Sequence, residues 1–350
     1  MKILFLSSGK QVPSSRFRIR PYVRLFEADG HTCSVAHSFP AKYDYFPWMG
    51  FRPSQLLKRS VRWWHWLKAR LRHYDIVYID REIFDNASSG MEDRFRDACG
   101  RLVLDIDDGV FLRYPEKFIH LFRTADLVVC GNQLLVQHVS EFNSNTVHVP
   151  TSVDLNEYPL RDWNSQPSTQ PIVGWMGTSG NLRYLAVAAE ALRVVAGEFR
   201  FRLHIVAPDI SVLQTMDLSG VSLSSSPWNA SSEQHELRQF EIGLMPLFMD
   251  QDWDRYKCGA KLIQYLATGV PGIASPVGVN HQIIHHAESG FTPKTTDEWI
   301  TALRSLLGDP NLRRDMGLRG RRTVEELYSV QANYPVLRDA LLNLLHQGSS

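Results

Sequence analysis

The chain has 350 residues, which at about 150 residues per domain predicts two domains with separate hydrophobic cores. Its 38 lysines and arginines balance 37 aspartates and glutamates, so a net charge of +1 provides no positive field to gather nucleic acid. The four cysteines are scattered and form no CxxC pair, which argues against a disulfide framework and a structural zinc site. No apolar run approaches the about 20 residues of a membrane span, and the apolar start at 1–6 is too short for a signal peptide. We therefore expect a cytoplasmic protein that binds no nucleic acid.

Short aliphatic and β-branched runs alternate with amphipathic stretches, a pattern typical of parallel βαβ units. The fold class is therefore predicted to be α/β, with two doubly wound domains. The predicted strands of the first half are 3–6, 33–36, 75–79, 102–106, 127–130 and 147–149. Those of the second half are 172–175, 203–206, 221–223, 242–245 and 272–274.

The domain boundary is predicted within 156–171, which contains three prolines and shows no apolar periodicity. This gives a first domain at 1–160 and a second at 161–328. Helical patterns at 312–328 and 335–345 follow the last predicted strand. We expect the tail, 329–350, to be a helix that packs back on the first domain.

The segment 256–275 is the most informative of the chain. On a helix, Lys257, Lys261 and Gln264 would form one polar stripe at positions i, i+4 and i+7, separate from the apolar face. Two lysines in the first turns of a helix are unfavourable, because the free N–H groups there already carry partial positive charge. A bound phosphate would resolve that conflict. The alternative is a solvated surface stripe with no ligand.

The chain resembles the GT-B glycosyltransferases of family 4, a retaining family. The resemblance rests on the helix ending in Gln264-Tyr265-Leu266-Ala267-Thr268-Gly269-Val270-Pro271 and on motifs along the whole chain: Pro13-Ser14-Ser15-Arg16-Phe17-Arg18, Asp75-Ile76-Val77-Tyr78-Ile79-Asp80-Arg81-Glu82, Asp105-Ile106-Asp107-Asp108, Val149-Pro150-Thr151-Ser152-Val153-Asp154, Gly174-Trp175-Met176-Gly177-Thr178 and Gly243-Leu244-Met245-Pro246-Leu247. It implies two Rossmann-like domains facing a central cleft, with the nucleotide-sugar donor held by the second domain.

The resemblance also assigns the donor site. Many members of the family carry two glutamates eight positions apart, and Tyr256 and Gln264 stand at the matching positions. Glutamine can still hydrogen-bond a ribose hydroxyl, whereas tyrosine cannot replace a carboxylate. Lys257 and Lys261 would neutralise the diphosphate and thereby assist catalysis. The other donor-binding candidates are Ser8 and Gly9, whose small size would let the backbone approach the diphosphate, together with Gly177 and Thr178.

The acceptor side of the site is predicted on the first domain. The strand 102–106 ends at Asp107 and Asp108, and open parallel sheets bind ligands beyond the carboxyl ends of their strands. Asp107 occupies the place of a histidine in many relatives, so it would orient an acceptor hydroxyl or accept its proton. The alternative is an aspartate cluster that caps the next helix. Candidate anion-binding arginines past strand ends, or else ordinary salt-bridge partners, are Arg16, Arg18 and Arg81.

Two segments match the Asp-x-Asp pattern with which GT-A enzymes hold a divalent metal: Asp105-Ile106-Asp107 and Asp250-Gln251-Asp252-Trp253-Asp254. The pattern is short, and the lysines already offer cations to the phosphates. We therefore interpret both as metal-free and expect neither metal nor cofactor.

A basic, tryptophan-rich helix is predicted at 55–74, which contains six lysines or arginines, three tryptophans and no acidic residue. Trp63, Trp64 and Trp66 could share one broad face with Leu67, flanked by Arg59 and Arg62. This composition suits the surface of an anionic membrane, so the protein could be peripheral on the inner leaflet. The alternative is that the tryptophans belong to the core.

The sequence thus predicts a metal-independent retaining glycosyltransferase. It would move a sugar from a nucleotide diphosphate donor to a saccharide or lipid-linked saccharide acceptor, in the synthesis of a cell-surface polysaccharide or other glycan. The alternative from another class is a nucleotide-sugar or glycan binding protein of the same fold, without catalytic activity. A sugar-nucleotide epimerase would need a carboxylate acid/base pair, for which Asp107 with Asp108 is a thin basis.

Overall fold

The computed structural model describes residues 1–163 and 169–346, and the chain divides into two compact units. The first unit comprises Met1–Ser152 together with Asn333–Ser350, and the second comprises Val153–Ala332. The sequence placed the corresponding boundaries at 160/161 and 328/329. Part of the predicted linker, 164–168, lies outside the described residues.

The first unit contains one parallel six-stranded sheet. Its strands are β1 (Lys2–Ser7), β2 (Thr32–His37), β3 (Tyr74–Asp80), β4 (Cys99–Ile106), β5 (Leu127–Cys130) and β6 (Thr146–His148), in the order β2-β1-β3-β4-β5-β6. β1, β3, β4 and β5 are almost continuously buried, because helices cover both faces of a parallel sheet. All six predicted strands are confirmed.

The helices of this unit connect the strands. They are α1 (Arg20–Ala28), α2 (Phe51–Arg72), α3 (Gly90–Arg96), α4 (Pro115–Thr124) and α5 (Gln133–Ser140), with a π-helical turn at Ser15–Ile19 and a 3-10 turn at Val110–Leu112. α2 ends at His73, whose left-handed conformation (φ 48°) turns the chain into β3.

The buried side of α2 is polar, which corrects the prediction that Arg62 flanks an outward tryptophan face. Arg62 is 1% exposed and donates to the backbone carbonyls of Ala36 (2.9 Å) and Ser7 (2.6 Å). Burial lowers the pKa of Arg62 to about 10, so the guanidinium stays charged at neutral pH. Lys58, also buried, donates to the carbonyls of Lys42 and Asp44. Helical periodicity cannot reveal this arrangement, because it assumes that the apolar face is the inner one.

The second unit contains another parallel six-stranded sheet. Its strands are β7 (Ile172–Met176), β8 (Arg202–Val206), β9 (Ser222–Ser226), β10 (Ile242–Met245), β11 (Gly272–Ala274) and β12 (Gly290–Phe291), in the order β12-β11-β10-β7-β8-β9. The five predicted strands are present. β12 was not predicted, because two residues are too few to produce an apolar pattern.

The helices of the second unit are α6 (Ala186–Ala196), α7 (Glu233–Gln239), α8 (Asp252–Arg255), α9 (Ala260–Ala267), α10 (Asn280–Ile283), α11 (Thr296–Gly308) and α12 (Pro310–Leu327), with 3-10 turns at Ser179–Leu185 and Ser211–Thr215. α6 and α11 pack together over the sheet, where Leu192 and Leu303 join Trp175 and Ile205 in one buried core. Apolar burial of this extent is the main source of the unit's stability.

The last helix, α13 (Val330–His346), returns to the first unit, as predicted. The hydroxyl of Tyr334 donates to Asp29 (2.6 Å), and Arg101 donates to the carbonyl of Leu344 (3.2 Å). The tail therefore completes the first unit. No helix within the described ranges combines the length and the hydropathy that a membrane crossing requires.

Candidate functional site

In the first unit, polar residues gather at the carboxyl ends of three neighbouring strands. Ser8 and Gly9 follow β1, Arg81 follows β3, and Asp107 and Asp108 follow β4. Because β1, β3 and β4 are adjacent in the sheet, these residues share one edge of it. This edge is where open α/β sheets bind their ligands.

Asp107 is held by Arg81 at this edge. The two side chains form an ion pair with 2.5 Å between Nε and Oδ1, and Asp108 lies 3.8 Å from the same guanidinium. Burial alone would raise the pKa of Asp107, but Arg81 outweighs it and holds that pKa below its ordinary value. Arg81 adopts a left-handed backbone conformation (φ 59°), which is unusual for a non-glycine residue and is often found at functional sites. Asp107 is therefore a fixed anion near neutral pH.

The loop after β1 is organised by Asp80, the last residue of β3. Its carboxylate accepts hydrogen bonds from the backbone N–H of Ser8 (3.0 Å) and the hydroxyl of Ser14 (2.8 Å). Gly9 has a positive φ of 156°, and a Cβ atom there would lie 2.8 Å from the Cβ of Ala41. Glycine is therefore required at this close approach.

Arg18, one of the predicted anion-binding arginines, is instead a buried ion-pair partner. It lies 2.6 Å from Asp105 and donates to the carbonyl of Val149, while the hydroxyl of Tyr78 donates to Asp105 (2.6 Å). Burial raises the pKa of Asp105 to about 6, although Arg18 stabilises the ionised form. Arg16 is half-buried beside this segment, with its guanidinium 5.1 Å from the ring centre of Phe17.

A second buried ion pair, Lys42 with Glu82, was not predicted from the sequence. Their charged groups are 3.1 Å apart, and Lys42 also donates to the carbonyl of Glu82 (2.9 Å). Glu82 directly follows Arg81, the ion-pair partner of Asp107. The Lys42–Glu82 pair therefore helps to fix the loop that carries Arg81. The sequence feature that could have indicated this pair is the run of charged residues at the end of β3, Asp80-Arg81-Glu82.

In the second unit, Lys261 lies against the loop that follows β7. It is the second residue of α9, and its ammonium nitrogen is 5.4 Å from the ring centre of Trp175. Gly177 makes room for it, because a Cβ atom at Gly177 would come within 2.5 Å of the Lys261 side chain. Thr178 follows in extended conformation and precedes the turn at Ser179–Leu185. Lys261, Gly177 and Thr178 are therefore neighbours at the end of β7.

Lys257 does not belong to α9, which corrects the predicted stripe. Gly259 takes a left-handed conformation (φ 64°), and the helix begins only at Ala260. Lys257 lies in the preceding turn, 3.4 Å from Asp254, with its ammonium 5.2 Å from the ring centre of Tyr184. Asp254 is fully buried, and one of its oxygens has no hydrogen-bond partner among the described residues. Lys257 therefore also serves to neutralise a buried carboxylate.

Gln264 is 4% exposed and belongs to a buried network. Its amide donates to Glu233 (2.9 Å) and Tyr158 (3.1 Å), and the hydroxyl of Tyr158 donates to the same carboxylate. Trp228 donates to the other oxygen of Glu233 (2.9 Å). Tyr256, the other position that departs from the family pattern, is half-buried and ends α8. Glu233 and Tyr158 were not predicted, because they are distant in the chain and belong to no motif.

The Asp-x-Asp segments do not gather metal ligands. Among residues 1–163 and 169–346, no group of three or more histidine, cysteine, aspartate or glutamate side chains could hold a metal ion. Asp252 is exposed and lies 3.6 Å from Arg255, and Asp250 is exposed as well. In the other segment, Asp105 and Asp107 each pair with an arginine.

Solved structures with similar folds identify the architecture. A sucrose-phosphate synthase from Thermosynechococcus elongatus matches with a TM-score of 0.73 at 15% identity, over 100% of both chains. A glycosyltransferase from Rickettsia africae matches with a TM-score of 0.69 at 15% identity, over 98% of both. HepE from Anabaena, in complex with UDP and glucose, matches with a TM-score of 0.63 at 15% identity, over 98% of this chain and 100% of that one.

The chain has the GT-B fold. The likeness spans both units and both six-stranded sheets, so it covers the whole architecture. No protein-family model matches the sequence, and a search of curated proteins found no match.

Proposed function

We propose that this protein is a glycosyltransferase that moves a sugar from a nucleotide diphosphate sugar to a saccharide or lipid-linked saccharide acceptor. Support comes from the full-length similarity in fold to glycosyltransferases, among them HepE in complex with UDP-glucose. We further propose that transfer retains the anomeric configuration and needs no metal. The acceptor would belong to a cell-surface polysaccharide or glycan that is built inside the cell.

The observation that carries the proposal is the position of Lys261. Its side chain extends from the first turn of α9 toward Gly177 and Trp175, and no acidic residue is present in that turn. A helix N-terminus and an ammonium group both favour a phosphate. Gly177 and Thr178 lie beside Lys261 and complete the proposed diphosphate site. Lys257 has a secondary role here, because Asp254 already neutralises part of its charge.

The proposed role of the first unit is to hold the acceptor. Asp107 has a lowered pKa, so it is a weak base and is suited to orient an acceptor hydroxyl through a charge-assisted hydrogen bond. In the proposed same-face reaction, the hydroxyl attacks the anomeric carbon as the bond to the diphosphate breaks. The departing diphosphate takes the hydroxyl proton, and Lys261 and the helix N–H groups stabilise its developing charge.

The experiment is a thermal-shift screen of the full chain with UDP-, GDP-, TDP- and ADP-sugars, because a ligand that binds only the folded state raises its stability. Calorimetry with the best nucleoside diphosphate then compares Lys261→Ala with Lys294→Ala, a control that removes an exposed lysine of the same unit. A lost charge-assisted contact costs about 1.5 to 3 kcal/mol, so we expect at least tenfold weaker binding for Lys261→Ala only. Equal affinity in the two variants would refute the phosphate site.

One observation favours the second candidate, a binding protein without catalytic activity. The amide of Gln264 is already used within its own unit, by Glu233 and Tyr158, and Tyr256 replaces a carboxylate of the resembled family. Nucleotide-sugar binding with no transfer to any saccharide, and no donor hydrolysis, would support this candidate over the enzyme.

A further inference from the structure

Exposed large apolar side chains concentrate in one part of the first unit. Of the 17 such residues in the described chain, 10 lie between positions 39 and 71. Six of these belong to α2, and the five that follow Phe51 form what we call the apolar face of α2: Leu56, Trp63, Trp64, Leu67 and Leu71. Trp48, in the preceding loop, is 79% exposed. An exposed apolar helix face of this kind marks an interaction surface.

The burial of α2 is inverted relative to an ordinary surface helix. Its buried residues are Ser54, Lys58, Arg62 and Ala69, whereas its most exposed include Trp64 (63%) and Leu71 (71%). At about 100° per residue, the apolar residues from Leu56 to Leu71 fall within an arc of roughly 100°, opposite the buried side. Folding of the first unit therefore leaves the apolar face uncovered.

Trp63 of the apolar face is held in place by two neighbours. The rings of Trp63 and Trp66 meet edge to face at 5.3 Å, and the guanidinium of Arg94 in α3 lies 4.5 Å from the ring centre of Trp63. The indole N–H of Trp66 donates to the carbonyl of Arg94 (3.0 Å). Trp63 can therefore contact a partner without first losing the entropy of a mobile side chain.

The charged side chains of α2 itself all have one sign. α2 contains no aspartate or glutamate, and the cations that stay at least partly exposed are Arg52, Arg59, Lys68, Arg70 and Arg72. Arg59 and Arg70 border the apolar arc on one side. A second copy of this chain placed face to face would bring like charges together, which disfavours a homodimer. An anionic surface with an apolar interior complements both features.

We propose that the apolar face of α2 docks on a bilayer that contains anionic phospholipids. Trp64 and Leu71 enter the headgroup region, while the exposed cations contact lipid phosphates. Lys58 and Arg62 take no part, because both are bound to backbone carbonyls of the first unit. The surface uses no residue of the proposed donor or acceptor site, so it stands independently of sugar transfer.

The test is co-sedimentation of the full chain with vesicles of phosphatidylglycerol and phosphatidylcholine, and with vesicles of phosphatidylcholine alone. We expect binding to the anionic vesicles that weakens at high ionic strength, because screening acts on exposed charges. Each cation near an anionic leaflet strengthens binding about fivefold, so Arg59→Gln with Arg70→Gln should bind about 30-fold more weakly. The matched control is Arg24→Gln with Arg123→Gln, which removes two exposed arginines elsewhere in the first unit.

The apolar contribution is tested by Trp64→Ser with Leu71→Ser against Leu112→Ser with Val336→Ser, a control pair that is also exposed and in the first unit. Only the first pair should lower vesicle binding, by more than tenfold, and it should abolish quenching of tryptophan fluorescence by brominated lipid. No pelleting at low ionic strength, or equal effects in test and control pairs, would overturn the proposal. Dimerisation through this face without vesicle binding, seen by light scattering, would also overturn it and identify a second copy as the partner.

Discussion

The ion-pair partner of Asp107 determines whether its carboxylate is ionised. Asp105 and Asp107 stand two residues apart at the end of β4, yet their pKa values move in opposite directions. Burial dominates at Asp105, whereas Arg81 dominates at Asp107, which keeps 11% of its side chain exposed. Asp107 is thus the one of the two that is both ionised and accessible. The sequence pattern Asp-x-Asp does not distinguish them, because the difference arises from Arg18 and Arg81, which are distant in the chain.

We predict that Asp107→Asn lowers the rate of sugar transfer more than tenfold and leaves donor affinity unchanged. A neutral amide loses the ion pair with Arg81 and accepts a weaker hydrogen bond from an acceptor hydroxyl. Asp108→Asn is the comparison, because Asp108 lies 3.8 Å from the same guanidinium and should matter less. Steady-state rates at saturating acceptor provide the measurement, and a wild-type rate for Asp107→Asn would remove it from the catalytic site.

Gly177 provides a test of the donor site that removes no charge. An alanine Cβ there would lie 2.5 Å from the side chain of Lys261 and 2.8 Å from Trp175, so Lys261 must move. We predict that Gly177→Ala weakens nucleoside diphosphate binding about tenfold or more, since a charge-assisted contact is worth about 1.5 to 3 kcal/mol. In Gly180→Ala the new methyl group meets nothing within 4 Å, so that variant is the control. Calorimetry showing equal affinities would mean that the position of Lys261 does not matter to the diphosphate.

At the scale of single elements, α2 is held by cations rather than by an apolar face. Arg62→Ala removes a fully buried side chain and the hydrogen bonds that its guanidinium donates to the carbonyls of Ala36 and Ser7, although the Ser7 carbonyl keeps its bond from the N–H of Ser38. We predict a loss of about 3 to 6 kcal/mol in the free energy of unfolding, at about 1.5 to 3 kcal/mol for each hydrogen bond from the charged guanidinium. Arg59→Ala, on the exposed side of the same helix, should change it by less than about 0.5 kcal/mol. Urea denaturation of both variants measures this, and similar midpoints would show that Arg62 does not anchor the helix.

The helices α2 and α9 show which features of an element can be predicted from the sequence. The strands were predictable because burial on both faces of a parallel sheet leaves unbroken apolar runs. For α2, the sequence predicted a helix with exposed tryptophans as one alternative, and the long-range bonds of Lys58 and Arg62 decided which side faces inward. For α9, the predicted stripe was wrong at Lys257, because the positive φ of Gly259 ends the preceding turn. Local periodicity reveals neither long-range hydrogen bonds nor the backbone conformation at the start of a helix.

At the scale of the whole molecule, positive and negative charges are nearly equal in number, but positive charge is in local excess at two places. The net charge is only +1, yet the exposed cations of α2 have no acidic neighbour within that helix, and Lys261 occupies a helix N-terminus that lacks acids. Balance keeps the molecule from binding polyanions indiscriminately, while the two local excesses of positive charge favour anionic ligands. We propose one for the donor diphosphate and the other for lipid phosphates. The composition predicted the balance, but only the fold shows which cations remain exposed.

Because positive charge is already present at the proposed donor site, we predict that sugar transfer by the full chain is unchanged in EDTA. Magnesium and manganese act in other transferases by neutralising the donor diphosphate, and they require several oxygen ligands from the protein and the substrate. Here Lys261 and the N–H groups of α9 provide positive charge at the proposed diphosphate site, while Asp105, Asp107 and Asp252 each have an arginine as ion-pair partner. Initial rates are compared with and without EDTA, and again after magnesium or manganese is added back, with a metal-dependent transferase as the positive control. Activity that is lost in EDTA and restored by either ion would identify Asp250 and Asp252 as the first residues to substitute, since both are exposed and could turn toward a metal held by the donor.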